Sequence, residues 1–493
     1  MLLLLAACTE TQPAAVRPDA VPNPGDYALA GPGGPAIPFA ANALDVACAA
    51  LTGGPEDVEH HNLVGMYDGW LVMPWAPESG GGGVTLFDIS DPCAPTKIGE
   101  TFAPLMRESH TLAIAKVGER TILAVDAHHD NDHGGIGFWD LTDPTAPLWL
   151  SDLEIPDYNY PDAYFRVALS TFWQGDLLFV SAGFNGVLTV DVSDPEHPEI
   201  LSQWTEVAFM AGSFHVIGNL AMASTAGLSR TILWDVGDPE DWQLLADWSV
   251  SDADGRPHPY YFANIGGRYA LFARKDGGGG PVVYDIADPT APTLVSAMDA
   301  PEADGGYVFR HHETLFQGES NYGARYDFTD PAAPVELSRI DMSGDFDTLT
   351  PIGNVAIASV DEGADPGLAT LVFPWSEAVD TRGPTVELTS PIDGEAWVPV
   401  TGRIGLSFDE QIEPVSVHAG SFRVWSQDGK AVSGRFYGQE SLANFVPDAP
   451  LRADTTYLVE IPIGGIADVS GNPTTATLTF TFATGKTVAE IPW

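Results

Sequence analysis

The sequence predicts an all-β chain, a seven-bladed β-propeller followed by a second, smaller β-sandwich. Two observations carry that expectation. The first is a repeat. The run GVTLFDISDPCAP at 83–95 returns as GIGFWDLTDPTAP from Gly135, GVLTVDVSDPEHP from Gly186, TILWDVGDPEDW from Thr231, PVVYDIADPTAP from Pro281 and GARYDFTDPAAP from Gly323. The first Asp of each copy falls at 88, 140, 191, 235, 285 and 327, and steps of 42 to 52 residues are those of propeller blades. The second is composition: 51 Gly and 40 Pro with no sustained 3.6-residue periodicity exclude a helical architecture.

Each repeat justifies a strand and a corner. Branched and aromatic residues such as Val84 to Phe87 suit a half-buried strand. The Asp-x-x-Asp-Pro that follows offers two side chains able to bond their own backbone two residues on, and a Pro whose fixed φ suits a tight turn. A second Pro, at 95, 147, 198, 292 and 334, keeps the outermost strand from pairing with another chain; the fourth copy has Trp242 instead. Upstream lie two more β-like runs separated by a turn, as in NLVGMY, Asp68-Gly69, WLVMPW, so each unit makes a four-stranded antiparallel meander. A seventh unit, Thr348 to Phe373, lacks the Asp-Pro corner and a fourth strand. The segment around Leu44 to Leu51 is expected to supply that strand and close the ring.

These residues resemble the LVIVD repeat of bacterial surface proteins, which folds as a β-propeller; the resemblance covers about 55–375. After Trp375 the run SEAVDTRG reads as a short hinge, and from Pro384 the composition shifts to Thr and Val with regular Gly and Pro turns. The markers SPIDG, LSFDEQIEP, FVPDAPLRADTTYLVEI, IADVSGNP and TLTFTFAT resemble the SbsA S-layer type of bacterial Ig-like domain. Short alternating strands with turn signals every 8 to 12 residues give the same Ig-like β-sandwich independently. The resemblance implies a spacer or adhesion module.

At the other end, MLLLLAAC is an apolar run closing on Leu5-Ala6-Ala7-Cys8. It is too short to span a bilayer and lacks a basic start. It resembles the lipobox of bacterial lipoproteins, which implies lipidation of Cys8 and, because Thr9 is not Asp, placement at the outer membrane or cell surface. The expected organisation is therefore a truncated lipoprotein signal at 1–8, a flexible Pro/Ala/Gly tether at 9–43, the propeller at 44–378 and the sandwich at 379–486. With Cys8 assigned to lipid, Cys48 and Cys93 remain; in an exported chain they are expected to form one disulfide closing a loop of about 45 residues, the alternative being two buried thiols.

Charge excludes one class of partner. With 21 Lys plus Arg against 68 Asp plus Glu, the net charge of −47 repels nucleic acid and anionic lipid. Membrane association is therefore expected only through the lipid anchor.

Candidate chemistry concentrates on the loops at one end of the ring. The connectors between blades are acidic, carrying Asp152, Asp157, Asp252, Asp254, Asp299, Glu302, Asp304, Asp341, Asp345 and Asp347. Counting back six to nine residues from each first hairpin turn places His61, His110, Arg166, Met210, His258, Asp304 and Asp347 around the central channel. Of these, His61, His110, His258, Asp304 and Asp347 form a candidate metal set, since imidazole suits transition metals and carboxylate suits calcium or manganese. The plainer alternative is a polar, water-filled channel. The loop HHDNDH offers a second candidate set, His128, Asp130, Asp132 and His133, against the reading of a solvated turn. A divalent cation, calcium or a transition metal, is thus the cofactor the pattern leaves open. His215 and the pair His311-His312 read as structural, and no nucleophile elbow, phosphate loop or dinucleotide fingerprint stands in its proper surroundings.

Two functions follow. The preferred one is a lipid-anchored surface protein whose propeller is a rigid scaffold for a protein or glycan. The alternative is a metal-dependent propeller enzyme, a lactonase-like hydrolase or an oxidoreductase.

Overall fold

The computed structural model describes residues 22–54, 63–76, 81–103, 106, 109–127, 135–155, 168–238, 241–275, 278–361 and 363–485. Within them the chain is all-β, with nine four-stranded sheets and two short 3-10 turns. Six sheets are antiparallel meanders of consecutive strands, at 65–103, 112–154, 170–204, 211–249, 260–297 and 308–346. A seventh joins Thr348–Ile352, Val355–Ser359 and Thr370–Pro374 to the N-terminal strand Ala49–Ala50, which pairs with Val372 and Leu371. Apolar clusters run from each sheet to the next. One links the first sheet to the seventh through Leu71, Met73 and Trp75 against Ile352, Val355 and Ile357, so the ring is closed.

The Asp-Pro corners work as their chemistry predicts. Each first Asp ends the third strand and accepts the N–H two residues on: Asp88 from Ser90 at 2.9 Å, Asp140 from Thr142 at 2.9 Å, Asp285 from Ala287 at 2.9 Å, Asp327 from Thr329 at 2.9 Å. The second Asp repeats the bond at Cys93, Thr145, Glu196, Thr290 and Ala332. Two successive Asx turns thus reverse the chain. The seventh sheet needs no corner, because its fourth strand arrives from the other end of the chain. The Cys48–Cys93 disulfide fixes that arrival, tying the residue before Ala49–Ala50 to the corner of the first sheet.

The remaining two sheets face each other as a sandwich. One orders Val386–Ser390, Ile404–Phe408, Leu442–Pro447 and Gly434–Gln439; the other Glu395–Val398, Leu478–Thr484, Thr456–Ile461 and Arg423–Ser426. Leu406, Phe408, Phe445, Val459, Phe480 and Phe482 fill the space between them.

The sandwich is docked onto one end of the propeller rather than held away from it. The innermost strand of a blade meets no further strand across the axis, so the main-chain groups on that side need side-chain partners, and its hairpin turn projects at the docked end of the ring. Polar side chains of the sandwich pair those groups. The Glu413 carboxylate accepts Asp68 N–H at 2.8 Å and Gly69 N–H at 3.2 Å. Gln439 accepts Trp173 N–H at 3.2 Å and donates to Thr171 O at 2.8 Å. Asn444 accepts Gly218 N–H at 2.7 Å and donates to Val216 O at 2.9 Å. Backbone joins backbone where Gly267 N–H meets Phe408 O at 2.6 Å and His312 N–H meets Asp409 O at 2.8 Å. A bidentate pair, Arg310 to Glu387 at 2.6 and 2.9 Å, adds charge.

This docking changes two sequence expectations. The segment read as a tether is, from residue 22, laid between the two domains: Pro22 O accepts from Arg423, Gly31 and Gly33 donate to Asp68 O and Gly69 O, Gly34 to Val469 O, and Phe39 to Glu377 O. It binds largely by main chain, which suits a Pro/Gly-rich strap, with the Tyr27 ring 5.9 Å from that of His418 and Phe39 packed on the core shared by the first and seventh sheets. The run read as a hinge is likewise pinned, with the Asp380 side chain only 9% exposed.

Two predictions follow from these contacts. The paired substitution Cys48→Ser/Cys93→Ser leaves the ring folded but less stable by about 2–4 kcal/mol, the value for releasing a loop of this length, read as a fall in the denaturant midpoint equal to that caused by reducing the parent. Asn444→Leu strands Gly218 N–H and Val216 O without partners and costs about 1–3 kcal/mol for each. Calorimetry then shows the single unfolding transition of the clasped pair splitting in two, with earlier protease cleavage between 376 and 384.

Candidate functional site

The axis of the ring is plugged. Leu63, Leu169, Met210, Phe262, Tyr307, Phe309 and Leu349 come from six different blades yet form one apolar cluster, which only side chains meeting on the axis can do. Phe262 and Tyr307 stack at 3.8 Å with their planes 10° apart, and the Tyr307 hydroxyl reaches across to donate to His110 O at 2.7 Å. At the docked end the sandwich completes the closure, leaving between Leu63, Phe309, Ile412 and Glu440 a cavity of about 40 Å³, room for little more than a water.

Of the described polar residues expected in the channel, His110 and Asp347 are buried beside the plug, and His258 and Asp304 are half-buried in the connectors at the rim. Met210 does line the axis, but elsewhere the inward residue lies two to four positions further on, at Phe262 rather than His258, Tyr307 rather than Asp304 and Leu349 rather than Asp347. The inner strands are only four to seven residues long where they are complete, so counting six to nine back from the turn overshoots into the connector. His61 and Arg166 lie outside the described residues, as do Cys8 and His128, Asp130, Asp132 and His133.

The described members of the first metal set have partners of their own, though His110 is near enough to Asp347 for the imidazole to oppose the rise of that carboxyl. His110 places Nδ1 3.2 Å from Asp126, whose carboxylate also accepts the His110 and Thr111 N–H groups at 2.9 and 3.1 Å. His258 stands between Asp252, at 3.1 Å from Nε2, and the Arg274 guanidinium, at 3.3 Å from Nδ1, a cation where a metal would have to sit. Asp304 accepts from Ser320 through its main-chain O. Asp347 is buried beside the plug, and burial pushes its carboxyl up to about 8; Lys275 opposes the shift while Asp361 and Asp345 add to it. The set of His110, His258, Asp304 and Asp347 is thus not gathered around a common point.

A different set is. Among the described residues, one group of three or more His, Cys, Asp or Glu side chains offers donor atoms all within 4.8 Å of one another: His311, His312, Asp380 and Glu410. The two imidazoles ride the hairpin of the sixth blade, Asp380 comes from the connecting run and Glu410 from the sandwich. Docking alone brings them together. His312 holds φ at 53° in a turn position where five other blades place a Gly with positive φ, at 118, 175, 218, 267 and 353. Burial drives the Glu410 carboxyl well above its ordinary range, with Asp468, Asp380 and Asp409 adding to the effect. It pushes His311 down to about 4, helped by His312. The nest forms the inner wall of a pocket of about 220 Å³ that opens to solvent past Trp375, Ser376 and Arg382. Reading His311-His312 as structural missed this. The available signal was a His in the turn slot that glycine fills in five other blades and Asp68, at φ 53°, in the first.

Asp347 gives a pH dependence whose sign is fixed. Its carboxyl binds a proton more tightly in the folded chain, so its contribution is fully present below the unfolded value near 4 and is lost progressively as pH rises toward about 8. The limiting slope is about 1.4 kcal/mol per pH unit for one proton. Asp347→Asn flattens the stability profile across that window and is more stable than the parent above it, as denaturant titrations at several pH values read directly.

Comparison with known proteins agrees with this architecture. Residues 380–484 match the bacterial Ig-like domain family, and residues 169–205 and 264–300 match the LVIVD repeat. No curated protein matches the chain. Among solved structures, the periplasmic gluconolactonase of Pseudomonas aeruginosa is similar over 64% of this chain and 88% of its own, at 10% identity and a TM-score of 0.48. A protein from Lactobacillus plantarum is similar over 61% and 92%, at 13% identity and 0.46. A hypothetical selenium-binding protein of Sulfolobus tokodaii is similar over 72% and 88%, at 10% identity and 0.45. The repeated corners, the closed ring and the docked sandwich are thus those of a β-propeller carrying LVIVD repeats, followed by a bacterial Ig-like domain.

Proposed function

We propose that this protein is an exported, lipid-anchored binding scaffold that presents the open end of its propeller to a protein partner. The observation that carries this reading is the plugged axis together with the docked sandwich. With the channel filled and one end covered, recognition falls to the loops at the other end.

Those loops have the character of a docking surface. Phe184, Val207 and Leu228 are exposed on adjacent loops of the third and fourth blades, Val207 at 91%. The loops are held together by paired backbone between Gly183 and Ala211 and by Arg230, which clasps Glu206 at 2.8 Å and Asp247 at 2.7 Å. Apolar anchors on a fixed frame are what a protein interface uses at its centre. The net charge of −47 selects a partner with a basic rim. A glycan would stack on aromatic faces instead, and here two of the three anchors are aliphatic.

A photo-crosslinking residue placed at Val207 in intact cells is expected to capture one protein, with capture weakened by salt and by Phe184→Glu. The same probe at Leu244, on an outer strand, captures none. Equal capture at both positions, or glycan binding untouched by Phe184→Glu, would sink the reading. The anchor is tested separately: Cys8→Ala is expected to release the protein from the membrane fraction and abolish fatty-acid labelling, whereas retention of both would overturn Cys8 as the anchor site.

A further inference from the structure

We infer that His311, His312, Asp380 and Glu410 form a divalent transition-metal site, best suited to zinc, that clips the Ig-like domain to the propeller.

Donor chemistry and spacing both point there. Two imidazoles and two carboxylates are a zinc ligand set, and a tetrahedral ion with bonds of about 2.0–2.1 Å separates its ligands by about 3.3–3.4 Å. Glu410 lies 3.1 Å from His312 Nε2 through Oε1 and 3.3 Å from His311 Nδ1 through Oε2, and His311 turns its other nitrogen, Nε2, to Asp380 at 3.7 Å; an ion takes one nitrogen of that ring, and one donor atom from each of the four side chains lies within 4.8 Å of the others. The longest separation, 4.8 Å, shortens as the ion draws the donors inward.

The atoms facing the centre lack the hydrogen bonds their burial demands. Glu410 Oε1, His312 Nε2 and Asp380 Oδ2 are buried with no hydrogen-bond partner, and the side chains that carry them are 1%, 8% and 9% exposed. Glu410 Oε1 and His312 Nε2 face each other at 3.1 Å and Asp380 Oδ2 faces His311 Nε2 at 3.7 Å, an arrangement that is costly unless something positive stands among them.

The orientation of His312 is the second argument. Its Nδ1 lies 3.0 Å from Asp409, whose carboxylate also accepts Thr385 N–H at 2.7 Å and Arg382 at 3.4 Å. Those donors keep Asp409 an acceptor, so Nδ1 carries the proton and the Nε2 lone pair faces Glu410. A carboxylate behind an imidazole, fixing its tautomer, is how metal-ligating histidines are commonly supported. Charge agrees: Asp380, Asp409, Glu410 and Asp468 gather around the nest, while Arg382 is shared with Glu313 at 2.5 Å. The solvent pocket beyond Asp380 is the route of entry.

The test uses the full-length protein in detergent, stripped with EDTA and titrated with zinc alone, then with cobalt(II). One equivalent of zinc is expected, with a higher melting temperature, and cobalt(II) gives the visible bands of a four-coordinate site. The Trp375 ring lies 5.3 Å from that of His311, so its fluorescence reports cobalt binding. Glu410→Gln and His312→Ala weaken zinc by at least about 100-fold, and Asp409→Asn by about 10- to 100-fold, as removal of a supporting carboxylate does. Asp380→Asn, on the connecting run, gives the same loss should the buried variants fail to fold. No stoichiometric metal and no response of the melting temperature to zinc or EDTA would overturn the site. So would zinc held equally well by Glu410→Gln and Asp380→Asn, or lost instead on replacing His128 and His133.

Discussion

Backbone hydrogen bonding at the inner edge of the ring is the constraint on which the rest of this molecule turns. A propeller blade hides its outer edge behind an Asp-Pro corner, but its inner strand meets no neighbouring strand across the axis. Here two means satisfy it. Within the ring, hydroxyls of the preceding blade accept inner-strand N–H groups, Thr111 from Thr171 at 3.0 Å, Ser170 from Phe214 at 3.3 Å and Ser213 from Ala263 at 3.0 Å. At the docked end, Gln439, Asn444 and Glu413 reach in from the sandwich and pair main-chain groups one by one. Such bonds to buried groups gain little individually but are expensive to leave unmade, so the docked arrangement is held less by attraction than by the cost of separating it. Calling the second domain a spacer therefore misplaces it. It is part of the propeller's wall.

The same burial explains where the acids matter. With 68 Asp and Glu, most carboxylates are solvated and contribute solubility rather than structure. Those trapped at the two closures behave differently. Glu413, buried at the docked end, is pushed up to about 7 by desolvation against three backbone N–H groups that favour its charged form. Asp468, behind the histidine nest, is pushed up to about 8 by burial, with Asp380 adding to the shift. Acid groups raised in this way are compatible with folding near neutral pH because they take up protons or lie beside a cation. The two imidazoles supply the donors a cation needs at one of these places.

What the sequence disclosed depended on whether the signal was local. Asp88 and Asp91, and their counterparts in five further blades, state their hydrogen bonds within two residues, so corner, period and ring were legible. So was the origin of the missing strand, since a unit with no corner needs its fourth strand from elsewhere and the segment Leu44 to Leu51, which carries Cys48, stands ahead of the first unit. The rim failed for a geometric reason: an inner strand of four to seven residues ends before the count does. Asn444 and Gln439 were illegible because a polar residue on the outer face of a sandwich strand has the same pattern whether it meets water or a hairpin turn. Cys8, His61 and the HHDNDH loop lie outside the described residues and enter no such comparison.

His311 and His312 mark the boundary between those cases. Read along the chain, two histidines at a hairpin tip have no partners within reach and look structural. Read against the other blades, His312 occupies a left-handed slot that five of them give to glycine, the residue that adopts it without steric penalty. The first blade puts Asp68 there, at φ 53°, and its carboxylate accepts Ala30 N–H at 2.8 Å; His312 likewise uses a side chain that glycine would lack. Its carboxylate neighbours lie 68 to 98 positions further on in sequence, at Asp380, Asp409 and Glu410, so no spacing rule joins them. The strained turn is visible from the repeat and the ligand set only from the docking, and each observation gains its meaning from the other.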